Sequence, residues 1–320
     1  MAVQTTTLLD AIIARVYNRE RLAKLVPVND VLGQWTGVDS GESEQAPKGL
    51  FPVVPSAGGT AYRWTVQTAG PTARQLSEGQ APPAPTGNTY VEASLSYLTG
   101  YFDVALEITG QTIDALQNEG AIIAELDKQI VDAAGSIVTT ANQYGLGTAN
   151  WGLQLAIDSA GTYAGLARGT YTSWVAGEQA VGGALNRAVM RDAVEHVTAQ
   201  TRGALRSNLV WMFPAGVISD YHALGVSTAT PNQMVVVGGQ PLDIGFTGQF
   251  FEGIPIVEVP DLTSTVALLV DRTKIYWVDH HPLSIEKKAT PGFTEAWYLV
   301  ASRILVVENC VPHYKLTGIV

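Results

Sequence analysis

The sequence predicts an α+β protein organised around one unusually long helix. Strands and helices occur in blocks and not in regular βαβ succession, which separates this class from a doubly wound sheet. One helical pattern runs from Thr112 to about Tyr144, a rod of roughly 45–50 Å at the rise of an α-helix. Two further stretches, 27–59 and 69–88, are rich in Gly and Pro and carry no periodicity, so neither can build a core of its own.

Taken in order, residues 5–26 predict an amphipathic helix. Leu8, Leu9, Ile12, Ile13 and Val16 recur at helical spacing, Thr7 with Asp10 resembles a capping box, and Pro27 follows the end. The irregular stretch after it reads as an arm lying on something or as disorder. Tyr62, Trp64 and Val66 then alternate with Arg63, Thr65 and Gln67, and Val91, Ala93, Leu95 and Tyr97 alternate with Glu92, Ser94 and Ser96. Both are period-2 patterns of half-buried strands, and together they predict a long hairpin. A two-stranded hairpin is not stable alone in water, so it must fold back on its own domain or lie on a neighbour.

In the long helix, Ile113, Leu116, Ile123, Leu126, Ile130, Ala134 and Ile137 fall on one side, with Asp114 near the positive end of the helix dipole. Gly120 and Gly135 weaken it. Residues 155–178 read as loops, and a second helix is expected from about Gly183 to Leu205 on Leu185, Val189, Ala193 and Val197. Short apolar strands follow at Leu209–Phe213, Met234–Val237, Ile254–Val259, Val266–Val270, Ile275–Val278 and Trp297–Val307. No internal repeat is present.

Composition narrows the function. Only 15% of the 320 residues are charged, and thirty Thr stand against nineteen Lys plus Arg. So neutral a surface suits a chain that ends up against other protein. A net charge of -10 argues against binding nucleic acid through a basic stripe. The apolar runs are too short for a ~20-residue bilayer span, and Met1–Val16 lacks a basic start, so neither a membrane anchor nor a signal peptide is expected. The single Cys310 allows no intrachain disulfide and no CxxC metal site.

No catalytic pattern rises from the residues. GxxxxGK[ST], GxSxG and HExxH are absent, and Gly145-Leu146-Gly147 meets Asn150 where a dinucleotide fingerprint needs its third glycine. His280 and His281 sit side by side next to Asp279, but adjacent strand residues point to opposite faces and could not readily chelate one ion. Cys310 lies in an apolar context that favours a buried, inert thiol. Asp114, Glu119, Glu125 and Asp127 have no His at metal-ligand spacing and read as a solvated or interfacial helix face. No cofactor, metal or catalytic residue is expected.

An arm, a long hairpin, a spine-like helix and a mixed domain with a final return of strands is an order that resembles the Hong Kong 97-type major capsid proteins of tailed bacteriophages. The resemblance covers nearly the whole chain. It rests on Ala105-Leu106-Glu107-Ile108-Thr109-Gly110-Gln111 entering the spine, Gly145-Leu146-Gly147-Thr148 leaving it, Thr162-Tyr163-Ala164-Gly165-Leu166-Ala167-Arg168 with Trp174, and Phe251-Glu252-Gly253-Ile254-Pro255-Ile256-Val257 with Pro260. It implies an N-arm at 1–58 and an extended E-loop hairpin at 59–100. A peripheral domain would take 101–145 and 275–310 with the spine helix at 112–144, an axial domain 146–274, and a C-terminal tail 311–320.

What the resemblance implies for function is a non-enzymatic subunit that self-assembles into hexamers and pentamers. These would form an icosahedral shell around double-stranded DNA, in the virion and assembled in the host cytoplasm. It implies a portal protein, a separate scaffolding protein and a decoration protein as further partners, with the packaged DNA contacted non-specifically. Leu8, Ile12 and Val16 of the arm and Tyr62, Trp64, Leu95 and Tyr97 of the hairpin would be intersubunit contacts. The chain departs from the family prototype in two ways. The prototype carries a long helical scaffolding segment ahead of the arm, whereas here the arm helix is expected to begin within a few residues of Met1, and no lysine lies between Lys48 and Lys128 for an E-loop isopeptide bond. The alternatives are an encapsulin-type nanocompartment shell, which has the same fold, and an α+β enzyme with a dispersed site.

Overall fold

In a computed structural model of the chain, the described residues are 17, 50–70, 87–107, 119–148, 150–201, 206–227, 249–288 and 296–320. They form two main sheets joined by one core. The first sheet has the order β1-β12-β13-β4, built from Val53–Pro55, Ile275–Lys288, Ala296–Val307 and Tyr101–Glu107. The spine helix α1, Glu119–Leu146, lies across one face of it. Ile122, Leu126, Ile130, Ala134, Ile137 and Ala141 meet Leu106 on β4 and Trp297, Leu299 and Ala301 on β13. These helix residues recur at three and four, and the strand residues at two, so each element turns a single stripe inward. Residues 112–118 of the expected spine lie outside the described residues.

The second sheet has the order β7-β14-β11-β8-β10-β9, from Gly177–Gly183, Tyr314–Ile319, Ala267–Asp271, Leu209–Phe213, Ile254–Glu258 and Gln249–Phe251. Every residue of β8 and β11 is buried, because both faces are covered. Leu209, Trp211 and Phe213 face helix α3, Arg187–Gln200, through Met190, Ala193, Val194 and Val197. Val210 and Met212 face the other way, into the core shared with Ile304–Val307 and Trp277 of the first sheet. A short helix α2, Leu153–Ala156, and a helix α4, Ala215–Ser227, complete the described elements with the two small hairpins β2-β3 (Ala61–Ala69, Thr89–Ser96) and β5-β6 (Thr162–Tyr163, Leu166–Ala167).

Several expectations change. The stretch 155–178, expected as loops, contains the end of α2, the β5-β6 hairpin and a 3-10 turn at Thr172–Trp174. Helix α3 starts only at Arg187, because Gly177–Gly183 is a strand and Asn186 caps the helix by accepting from the Val189 N–H at 3.0 Å. Strand β12 continues ten residues past Val278, across Pro282, by shifting register at His281. Residues 311–320, expected as a tail, hold β14, an interior strand paired with both β7 and β11. The expected strand Met234–Val237 and the arm helix, Tyr17 apart, lie outside the described residues.

Two buried polar clusters lock the second sheet. Lys315 on β14 is buried and bonds Asp158 at 2.8 Å and Glu178 at 3.0 Å. Burial alone would raise the Asp158 pKa, but the bonds from Lys315 and from the Ala160 N–H outweigh it and hold this carboxyl below its ordinary value. His313 is fully buried and its Nδ1 accepts from the Asp271 N–H at 3.1 Å. An acceptor Nδ1 places the ring proton on Nε2 and makes the ring neutral. Burial pushes its pKa down to about 4, against a smaller opposing pull from Asp271.

A pH dependence follows from His313. The unfolded ring takes up a proton below about pH 6.5 and the folded one only near pH 4, so stability is full above pH 6.5 and falls as the pH drops between those values, by about 3 kcal/mol. Denaturant midpoints measured from pH 7 to pH 4 should show this slope. His313→Asn, which keeps an acceptor and cannot be protonated, should flatten it. An equally steep slope in the variant would assign the effect to other groups.

Candidate functional site

The β2-β3 hairpin is built so that a single face is held. Tyr62 pairs with Leu95, Trp64 with Ala93 and Val66 with Val91. This face packs on the core that joins the two sheets, with Val66, Ala93, Leu95 and Tyr97 buried and Tyr62, Trp64 and Val91 half-buried. Polar bonds fix its seat. The Trp64 indole donates to the Glu308 carbonyl at 3.1 Å, and the Tyr62 and Tyr276 hydroxyls lie 3.1 Å apart. Ser94 N–H donates to the Ala164 carbonyl at 2.9 Å, and Ser173 Oγ donates to that of Thr68 at 2.9 Å.

The opposite face carries Arg63, Thr65, Gln67, Tyr90, Glu92 and Ser94, all exposed, with an Arg63–Glu92 ion pair at 3.1 Å. Tyr90 is 58% exposed, and Leu98, in the 3-10 turn Tyr97–Gly100 after the hairpin, is 78% exposed. This face is therefore polar and open to solvent, with Tyr90 and Leu98 as its large exposed apolar side chains.

Below the hairpin lies a junction that sequence reading did not single out. Tyr97 stacks on His280 with ring centres 4.1 Å apart, and His280 Nδ1 is 3.1 Å from Ser56 Oγ. Gly100 passes so close to β13 that a Cβ there would stand 2.3 Å from the Arg303 carbonyl oxygen. Arg303, 2% exposed, donates through Nε and Nη2 to the two oxygens of Asp279, the Nη2 bond at 2.7 Å. The signal was present: Asp279 and Arg303 each interrupt an apolar run, and a charge at a core position requires a partner.

The expected contact residues therefore divide. Tyr62, Trp64, Leu95 and Tyr97 come together at the hairpin base, where their own chain covers Leu95 and Tyr97 and half-covers the other two. Leu8, Ile12 and Val16 lie outside the described residues. The two adjacent histidines diverge, His280 to Tyr97 and His281 to Glu286 at 3.3 Å. Cys310 is buried, and burial raises its pKa to about 12, which leaves it a thiol at neutral pH. Among the described residues no three His, Cys, Asp or Glu side chains gather to hold a metal ion, and no helix is long and apolar enough to cross a membrane.

No family model and no curated protein matches this sequence. Its fold does match solved structures. The capsid asymmetric unit of cyanophage A-1(L) is similar over 84% of this chain and 91% of that one, with a TM-score of 0.63 at 17% identity. The mature capsid of bacteriophage PhiM1 covers 91% and 92%, with a TM-score of 0.57 at 12% identity. The capsid of an empty GTA particle covers 85% and 88%, with a TM-score of 0.56 at 13% identity. The chain thus has the Hong Kong 97-like α+β fold of phage capsid subunits.

Proposed function

We propose that the chain is a structural subunit of a phage capsid and acts by assembling with copies of itself into a closed shell. The observation that carries this reading is the similarity of its fold, over 84–91% of the chain, to solved phage capsid structures. Hexamers and pentamers on an icosahedral lattice, enclosing double-stranded DNA in the virion, are the finer form of the proposal. The acidic charge of the subunit fits a wall that lets the genome enter and leave without strong phosphate affinity. Assembly in the host cytoplasm with portal, scaffolding and decoration proteins belongs to the same reading. So does the division into N-arm, E-loop, peripheral and axial domains.

In this reading the hairpin base is an intrachain socket and the part beyond Ala69 and Asn88, with the outward face through Tyr90, is the intersubunit contact. Deleting 71–86 and closing the hairpin with a short turn should leave the melting transition near that of the full chain, because every core residue of the base remains. The same deletion should abolish closed shells. Electron microscopy and size-exclusion chromatography read assembly, and calorimetry reads the fold. Shells of unchanged size from the deleted chain would sink the proposal. Nucleic acid inside the full-length shells separates a virus from a nanocompartment.

A further inference from the structure

Among the described residues Leu98 is, after the C-terminal Val320, the most exposed large apolar side chain, at 78%. The turn that carries it, Tyr97–Gly100, is tightly held. Ser96 Oγ accepts from the Leu98 N–H at 3.3 Å, Thr99 Oγ1 donates to the Ser96 carbonyl at 2.7 Å, and the Trp151 indole donates to the Thr99 carbonyl at 3.1 Å. Gly100 is wedged against the backbone of β13. A side chain on so fixed a backbone loses little freedom when it is covered, which is what an anchor at a contact requires. The chain around it is also uncharged. No Asp, Glu, Lys or Arg occurs from Ala93 to Phe102, nor from Ala133 to Ile157. Trp151 joins these two stretches, since its indole bonds the turn and its ring packs on Phe102 and Tyr144, with centres 6.4 Å away in each case. Thr99, Tyr144, Thr148 and Asn150 are exposed near this joint.

We infer that this uncharged ground is a contact surface for a second copy of the chain, with Leu98 as its anchor. Charge selects the occupant. Two copies at a net charge of -10 repel wherever their acidic surfaces face each other, so close approach needs ground that carries no charge. A basic partner would be drawn to the acidic surface instead. The inference rests on the capsid reading and adds to it a contact at the foot of the hairpin, separate from the one placed on its far part.

The test is sedimentation velocity of the full chain over a concentration series, with electron microscopy of the same samples. Leu98→Glu places a carboxylate on the contact and should abolish association at concentrations where the wild type associates. Leu98→Ala should weaken association about tenfold. Leu98→Met keeps an apolar side chain of similar size and should associate as the wild type does. So exposed a position should leave the melting temperature of all three unchanged. Wild-type association in Leu98→Glu and Leu98→Ala would overturn the contact, as would its loss in Leu98→Met. Closed shells that form equally in the wild type and both of the first two variants would remove the contact and leave the capsid reading standing. Small oligomers without shells, dissolved by Leu98→Glu, would support the contact and count against the capsid reading. A wild type that stays single at every concentration would overturn both.

Discussion

Asp279→Ala is expected to destabilise the fold by about 3–5 kcal/mol, because it leaves the Arg303 guanidinium buried without its carboxylate. The pair sits where β12 and β13 run side by side and where the chain leaves β1, since the Ser56 N–H donates to the Asp279 carbonyl at 2.8 Å. The Trp277 ring, 5.7 Å from the Arg303 guanidinium carbon, offers a cation–π contact that compensates for only part of the loss. Removing both charges in Asp279→Ala with Arg303→Met should recover much of the stability, because the desolvation cost disappears with the cation. Denaturant unfolding compares the three chains. A single variant within 1 kcal/mol of the wild type would mean that the pair contributes specificity and little else.

Gly100→Ala should be nearly as costly, on the order of 3 kcal/mol, for a steric reason. The new methyl would meet the Arg303 carbonyl oxygen at 2.3 Å and the Ile304 Cγ2 at 2.4 Å, and the first of these is backbone that cannot swing aside. Either the turn Tyr97–Gly100 lifts from β13, taking the hairpin seat with it, or β13 bends. The contrast is Gly135→Ala in the spine helix, where a Cβ meets nothing within 4 Å. That change should raise stability by about 0.5–1 kcal/mol through helix propensity. Thermal melts of the two variants should move in opposite directions. A Gly100→Ala chain that melts with the wild type would show that the turn relaxes without loss.

Much of this architecture is legible in the residues, for reasons that also mark where legibility stops. The spine is visible because Leu126, Ile130 and Ile137 repeat on one side over many turns, and the hairpin because Tyr62, Trp64 and Val66 alternate strictly. What the hairpin packs against is not visible. A strand facing its own core and a strand facing a neighbour present the same alternation, and only the bonds to Glu308, Ala164 and Tyr276 show which surface lies beneath the base. Residues 153–174 hide for a different reason. Their turns depend on Ala164 and Gly165 at positive φ and on buried Arg168 donating to the carbonyls of Leu155, Ala156 and Ala160, all interactions of backbone that carry no periodic signature.

The position of β14 bears on how the chain folds. Tyr314–Ile319 sits between β7 and β11, so the second sheet is two separate pieces until this strand is in place. During synthesis, at roughly 5–20 residues per second, β7 waits several seconds for a partner more than a hundred residues downstream. Loop closure of that kind is slow and comes late in folding. The sheet is therefore complete only once the chain has been made through Tyr314–Ile319, and the surface that β7 and β11 share through this strand does not exist before then.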